Sequence, residues 1–386
     1  MRDELQTVFL LPVLGHPRHN KRIDALARVG VCPSVLGFER DYIPMESIPA
    51  GVRLLGRVRH GHYFARISVI LRGVPKVWSA VRKADVVYAF GLDMLFLGWM
   101  SLLGGTKRLK LVYEVGDIRE ILLGPSLAAR ALRFAERLLL QRVDILVVTS
   151  KAYVQGYYES IQGLRQLAIC LIENKLSEHL VLDPRPPRER GGGEAIRIGY
   201  FGVLRCRRSW EILKEVARRG NGRFEVYLRG VPLEVGMLEA EASEAPHIFY
   251  GGPYKSPADL PELYGGIDIA WICYPYSPGP VGNWLWARTN RFYEACYFQR
   301  PMLCQHGTQD AAVVEEYEIG MSIDLADVDA AVMRILRLSD AELEQWTSRV
   351  KRLPRELYVY SGEHEELLNR LAKAREGTRG YAGPST

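Results

Sequence analysis

Val8-Phe9-Leu10-Leu11-Pro12-Val13-Leu14-Gly15-His16-Pro17-Arg18-His19-Asn20, followed by a helical pattern over 21–29, is the stretch whose reading sets the fold. An apolar run of strand length, a polar loop led by glycine and then a helix make the opening unit of a doubly wound α/β domain. The same order restarts at Ile196-Arg197-Ile198-Gly199-Tyr200-Phe201-Gly202, with a basic loop through Ser209 and a helix over 209–219. Further strands are expected at 85–89, 110–114 and 144–149 in the first half, and at 223–229, 247–250, 267–272, 301–304 and 321–323 in the second. Helices fall between them, so two mostly parallel sheets are predicted.

Between the two series lies Asp183-Pro184-Arg185-Pro186-Pro187-Arg188-Glu189-Arg190 and then Gly191-Gly192-Gly193, which supports neither helix nor strand. The pattern therefore predicts an N-terminal domain over 1–176, a linker over 177–194 and a second domain over 195–349. Helices over 350–375 and a flexible tail over 376–386 follow.

Composition narrows the class. With 48% apolar and 25% charged residues, the chain of 386 residues reads as a two-domain globular protein. Its cysteines, Cys32, Cys170, Cys206, Cys273, Cys296 and Cys304, form no CxxC pair, which argues against a disulfide framework or zinc site and for a reducing cytoplasm. The opening residues do not read as a signal peptide. The apolar run 94–105 is short of the roughly 20 residues that cross a bilayer and reads as a buried helix. Net charge is +6, and eight Lys or Arg residues with no acid fall between Ser47 and Ala84. Interleaved with apolar residues, these read as one or two basic amphipathic helices, open either to an anionic membrane surface or to solvent over a core. No recognition motif points to nucleic acid.

The candidate chemistry gathers at the carboxyl ends of the expected strands. In Asn290-Arg291-Phe292-Tyr293-Glu294, Arg291 and Glu294 are one helical turn apart. They suit a diphosphate and ribose hydroxyls, or they form a surface ion pair. Gly202 opens a loop with Arg205, Arg207 and Arg208, where Ser209 is a candidate N-cap and the helix amides favour an anion. The loop is neither a Walker nor a GxGxxG motif. Tyr250 and Gly251 begin a second loop at this edge, either a turn or a place where amides approach a base. In the first half, Asp117 emerges after a strand; it is either a group taking a proton from an attacking hydroxyl or the N-cap of a helix at Ile118. Glu114 is expected to point into the sheet. His16, Arg18 and His19 stand on the first loop, placed to hold an acceptor. Asp327-Val328-Asp329 has DxD spacing but opens a helix, so capping is expected and no metal or other cofactor is implied.

With these residues in place the chain resembles bacterial GT-B glycosyltransferases, especially family 4. The resemblance rests on Tyr200-Phe201-Gly202 with its basic loop, the 259–264 segment, Asn290 to Glu294, Pro301-Met302-Leu303, and Tyr360-Ser361-Gly362-Glu363. It implies two Rossmann-like domains facing across a cleft, with a C-terminal helix returning to the first. It also implies a nucleotide-sugar donor, UDP-linked, on the second domain, with Glu294 on the ribose and Arg291 and Arg205 or its neighbours on the diphosphate. A retaining transfer, in which Asp117 orients the acceptor, follows in the same way, whereas in an inverting one Asp117 would be the base; an acceptor on the first domain and a metal-independent transfer are expected from the residues above. Two positions depart from the family pattern: Ala287 stands where an acid is common, and Gly116 where His commonly precedes the Asp117 equivalent, leaving Trp286 or Arg288 to line the sugar pocket. The basic stretch suggests a lipid-linked glycan acceptor at the inner membrane face, as in exopolysaccharide assembly. The alternatives are a sugar-nucleotide epimerase and a non-catalytic partner of a transferase.

Overall fold

The computed structural model describes residues 4–40, 51–57, 63–103, 109–180, 182, 188, 190, 191, 193–233, 238–277 and 282–379, with side chains absent from the description at 63–68 and 373–379. The chain divides into two compact units, one of Met1–Glu173 with Gly362–Thr386 and the other of Asn174–Ser361.

The first unit is built on a sheet of seven parallel strands: β1 (Leu5–Leu11), β2 (Val31–Glu39), β3 (Arg53–Arg57), β4 (Val86–Phe90), β5 (Lys110–Val115), β6 (Ile145–Val148) and β7 (Ile169–Leu171). Their spatial order is β3-β2-β1-β4-β5-β6-β7. The second unit holds six: β8 (Ile196–Leu204), β9 (Phe224–Pro232), β10 (Ile248–Tyr250), β11 (Ile269–Trp271), β12 (Met302–Gln305) and β13 (Gly320–Ile323), ordered β10-β9-β8-β11-β12-β13. Both are doubly wound orders that reverse beside their first strand. The central strands are buried runs, such as Val86–Phe90 with every residue buried, because parallel sheets are covered on both faces.

The basic stretch is not purely helical. Arg53–Arg57 is the edge strand β3, with Leu55 turned inward at 4% exposure, and only Tyr63–Val81 is a helix. Residues Arg59 and Arg66 of that expectation lie outside the described side chains. The first helix also starts earlier than its apolar period indicates, at Pro17, whose fixed φ suits the opening helical position. The helix Leu92–Leu102 buries Met94, Leu95 and Leu97, as the apolar run predicts. In the second unit apolar clusters cover both sheet faces. Trp210, Ile212 and Trp271 belong to one, while Tyr264, Phe292 and Phe298 belong to the other.

Candidate functional site

In the second unit the strand order reverses between β8 and β11, and the carboxyl edge there is where open parallel sheets bind ligands. β8 continues through Leu204, so Gly202 lies inside the strand rather than at the start of a loop. Gly202 has φ +105° and pairs with Gly230, where an added Cβ would stand 1.7 Å from the Gly202 carbonyl oxygen. Only glycine allows that approach, and it fixes the backbone leading into the basic segment.

The following helix, Arg207–Arg219, is capped by Cys206, whose Sγ accepts from the Ser209 amide at 3.3 Å. Ser209 is thus a buried first-turn residue and not the cap. Arg207 and Arg208 approach Glu211 at 3.2 and 3.3 Å, so a carboxylate one turn along partly neutralises the expected cation cluster. Arg205 instead lies over the Trp284 ring, 4.5 Å from its centroid. Trp284 in turn packs on Tyr274.

The helix Asn290–Tyr297 is set by Thr289, whose hydroxyl accepts from the Phe292 amide at 3.1 Å. The Thr289 amide itself donates to Asp310 at 3.1 Å. Burial pushes the Asp310 carboxyl up to about 6, against the opposing pull of Arg288, whose Nε is 3.8 Å away. On this fixed helix Arg291 donates from Nη2 to the Cys273 carbonyl at 2.7 Å, and its guanidinium lies 5.0 Å from the Tyr200 ring centroid. Its Nη1 is buried with no hydrogen-bond partner among the described residues. Glu294, 9% exposed, accepts from the Tyr264 hydroxyl at 2.8 Å. These are not surface groups, so the reading of Arg291 and Glu294 as an exposed ion pair fails. Asn290 is exposed and accepts from Asn174 at 2.7 Å.

At the neighbouring edge Tyr250 donates to the Gly230 carbonyl at 2.9 Å. The Gly251 amide is bonded to the Leu228 carbonyl at 3.0 Å rather than left open to a base. The missing Cβ of Gly251 instead admits Arg229, which donates to the carbonyls of Gly252 and Pro253, both at 3.1 Å.

In the first unit β1, β4 and β5 are neighbours, and their carboxyl ends bring the predicted acceptor residues together. His16 is the N-cap position of Pro17–Arg28, and Arg18 and His19 belong to the first helical turn rather than to a loop. The His16 and His19 rings are 4.6 Å apart, and His19 packs on Phe90 at 4.4 Å. Burial, then Arg18, lowers the His16 pKa. Burial, then His16, takes His19 down to about 3, so both rings are neutral at pH 7. Arg18 Nη1 donates to Asp117 Oδ2 at 3.0 Å. Asp117 is followed by irregular backbone and then a short turn at Glu120–Leu122, so the capping reading for it fails. A Cβ at Gly116 would stand 2.2 Å from Arg18 Nη1. The Gly116 carbonyl accepts from Thr149 and Tyr153, both at 3.2 Å. Glu114 points into the interior, 1% exposed, where Arg22 donates to it at 3.1 Å.

Asp327 caps its helix through the Ala330 amide at 2.9 Å, as its position predicts. Among the described residues no group of three or more His, Cys, Asp or Glu is arranged to hold a metal. Tyr264, Tyr274, Trp284 and Asp310 support the candidate residues, and sequence reasoning missed them. The aromatic-rich segment around Trp284 was the available signal for two of them.

A family model described as a glycosyl transferase 4-like domain matches residues 20–175. All but the last two matched residues lie on the first unit, although the quoted motifs weigh more on the second. The succinoglycan biosynthesis protein ExoL of Rhizobium meliloti (strain 1021) is 31% identical over 338 residues, 84% of this chain and 83% of that protein. Among solved structures, Anabaena Alr3699/HepE in complex with UDP superposes with a TM-score of 0.66 at 15% identity, covering 96% of this chain and 100% of that one. Sucrose-phosphate synthase (tll1590) from Thermosynechococcus elongatus gives 0.64 at 14% identity, over 96% and 100% of the two chains.

Proposed function

Because this chain belongs to the family 4-like GT-B glycosyltransferases, we propose that it moves a sugar from a UDP-sugar to a hydroxyl of a lipid-linked glycan during exopolysaccharide or cell-surface polysaccharide assembly. The observation that carries the donor assignment is the half-buried Arg291, held by the Cys273 carbonyl and the Tyr200 ring, with its Nη1 buried and unbonded among the described residues. A fixed, desolvated donor of this kind answers the negative charge that grows on a departing diphosphate. Arg205 and the amides opening the helix Arg207–Arg219 add to it. Glu294, oriented by the Tyr264 hydroxyl, takes the ribose hydroxyls. Asp117, with Arg18 bonded to it, orients the acceptor hydroxyl in a retaining transfer, and His16 and His19 present neutral ring nitrogens beside it. The transfer is proposed to need no metal. The basic stretch, in which Arg53, Arg72, Arg82 and Lys83 are exposed, faces the lipid part of the acceptor at the membrane.

A ligand that binds only the folded state raises the melting temperature. UDP at millimolar concentration is therefore expected to stabilise the protein, equally with and without EDTA, where GDP, ADP and TDP do not. Arg291→Ala should abolish the shift. No shift with any nucleotide would overturn the donor assignment, an EDTA-sensitive shift would overturn metal independence, and release of free sugar with no acceptor present would favour the epimerase alternative.

A further inference from the structure

The helix Leu127–Leu140 carries apolar side chains on two opposite faces. Its inward face buries Glu136, Leu139 and Leu140, and Glu136 is 1% exposed among donors that include Tyr113 and Gln162, both at 2.9 Å. At 3.6 residues per turn, Leu127, Ala131, Phe134 and Leu138 fall within a strip of about 60° on the far side. Leu127 is 81%, Phe134 59% and Leu138 48% exposed. An amphipathic surface helix directs such a stripe inward. Here the inward face is already filled, and the second stripe points to solvent.

Charge decides what covers it. The exposed charged residues of this helix are Arg130 and Arg137, while its single acid, Glu136, is buried. A second copy packed symmetrically here would set arginines against arginines. An anionic bilayer satisfies both halves of the pattern: the apolar strip enters the acyl boundary and the Arg130 guanidinium meets phosphates, joined by what Arg137 leaves open beyond its bond to the Gln162 carbonyl at 2.8 Å. We propose that this helix is a membrane-docking element of the first unit, lying in the headgroup layer of an anionic membrane. It begins after the segment that follows β5, at the sheet edge that carries Asp117, so docking brings a lipid-linked acceptor to that residue. The inference rests on the lipid-linked acceptor reading for why a membrane is the partner, but its test needs no turnover.

The full chain is sedimented at low salt with vesicles of phosphatidylglycerol and phosphatidylethanolamine, and separately with phosphatidylcholine vesicles. The wild type should pellet with the first and not the second. A triple variant, Leu127→Ser with Phe134→Ser and Leu138→Ser, should lose at least tenfold in partitioning. Because the three side chains are about half or more exposed, the variant should stay folded with a melting temperature lowered by only a few degrees, and its stabilisation by UDP should match the wild type. Equal pelleting of variant and wild type, or no pelleting of the wild type, would overturn the proposal. So would a concentration-dependent dimer that the triple variant abolishes, which would make a second copy the occupant. If vesicle binding holds while UDP fails to stabilise either protein, the docking helix stands and the donor assignment falls.

Discussion

Gly116 governs its surroundings by what it lacks. Arg18 Nη1 occupies the space that a Cβ at 116 would approach to 2.2 Å, and the same nitrogen holds Asp117. The family pattern favours a histidine ring at this position. Here an arginine from the neighbouring helix stands there instead, so the group beside Asp117 is supplied from a different strand end. Gly116→Ala must push the far end of Arg18 aside, which that flexible side chain can do at small cost. Ion pairs this exposed contribute roughly 0–1 kcal/mol, so stability should change by no more than about 1 kcal/mol. Transfer should fall while stabilisation by UDP is retained, and Arg18→Ala should reproduce the split. If Gly116→Ala transfers sugar at the wild-type rate, Arg18 has no part in holding Asp117 for the reaction.

At the scale of single elements, the helix Asn290–Tyr297 takes its direction from a buried acid outside it. Asp310 fixes the Thr289 amide, and burial raises its carboxyl to about 6 from an ordinary value near 3.8. Its folded pKa lies above its unfolded one, so between those values the native state holds more protons and stability falls as pH rises from about 4 to about 6. Asp310→Asn keeps an oxygen for the Thr289 amide but does not titrate. Relative to wild type it should gain stability from pH 4 to 7, by at most about 3 kcal/mol, in urea unfolding. Parallel pH dependences would remove Asp310 as a titrating support. This support was invisible in the sequence because Asp310 is 21 positions from its partner. The helix itself was legible, since Arg291 and Glu294 follow a strand at helical spacing. Likewise β1, β4 and β8 read directly as apolar runs. β2 did not, because Cys32-Pro33-Ser34 interrupts it; Pro33 lies before Leu36, where pairing with β3 begins. β3 was masked by its own arginines, which an edge strand turns to solvent. The loop reading of Arg18 failed for a related reason: a helix opened by proline needs no apolar period in its first turn.

Across the whole molecule, the first unit is discontinuous in sequence: the chain leaves it at Glu173 and contributes to it again from Gly362. The helix Glu363–Arg379 is tied in by Arg370, which donates to the Ile169 carbonyl at 2.7 Å, and by His364, 2.8 Å from Arg22. Arg22 is 1% exposed and is shared among His364, Glu114 and the Ile172 carbonyl, so three distant parts of the chain meet at one buried charge. An arginine only donates, so the facing His364 Nε2 must be the acceptor of a neutral ring. Burial, then Arg22, lowers the His364 pKa to about 3. In the unfolded chain His364 takes up its proton near the ordinary value of about 6.5, whereas the native state refuses it, so stability is full above that value and is lost as pH falls toward 3. Gln at this position still offers an oxygen to Arg22 but has no proton to gain. Between pH 7 and pH 5 the wild type should therefore lose about 2 kcal/mol more than His364→Gln, after which the two should continue to diverge toward pH 4. Urea unfolding at the three pH values measures the difference directly. Because His19 and the carboxylates titrate in both proteins, that difference isolates His364; identical losses would mean that its ring already accommodates a proton in the folded unit and that the returning helix is not a pH-sensitive part of it.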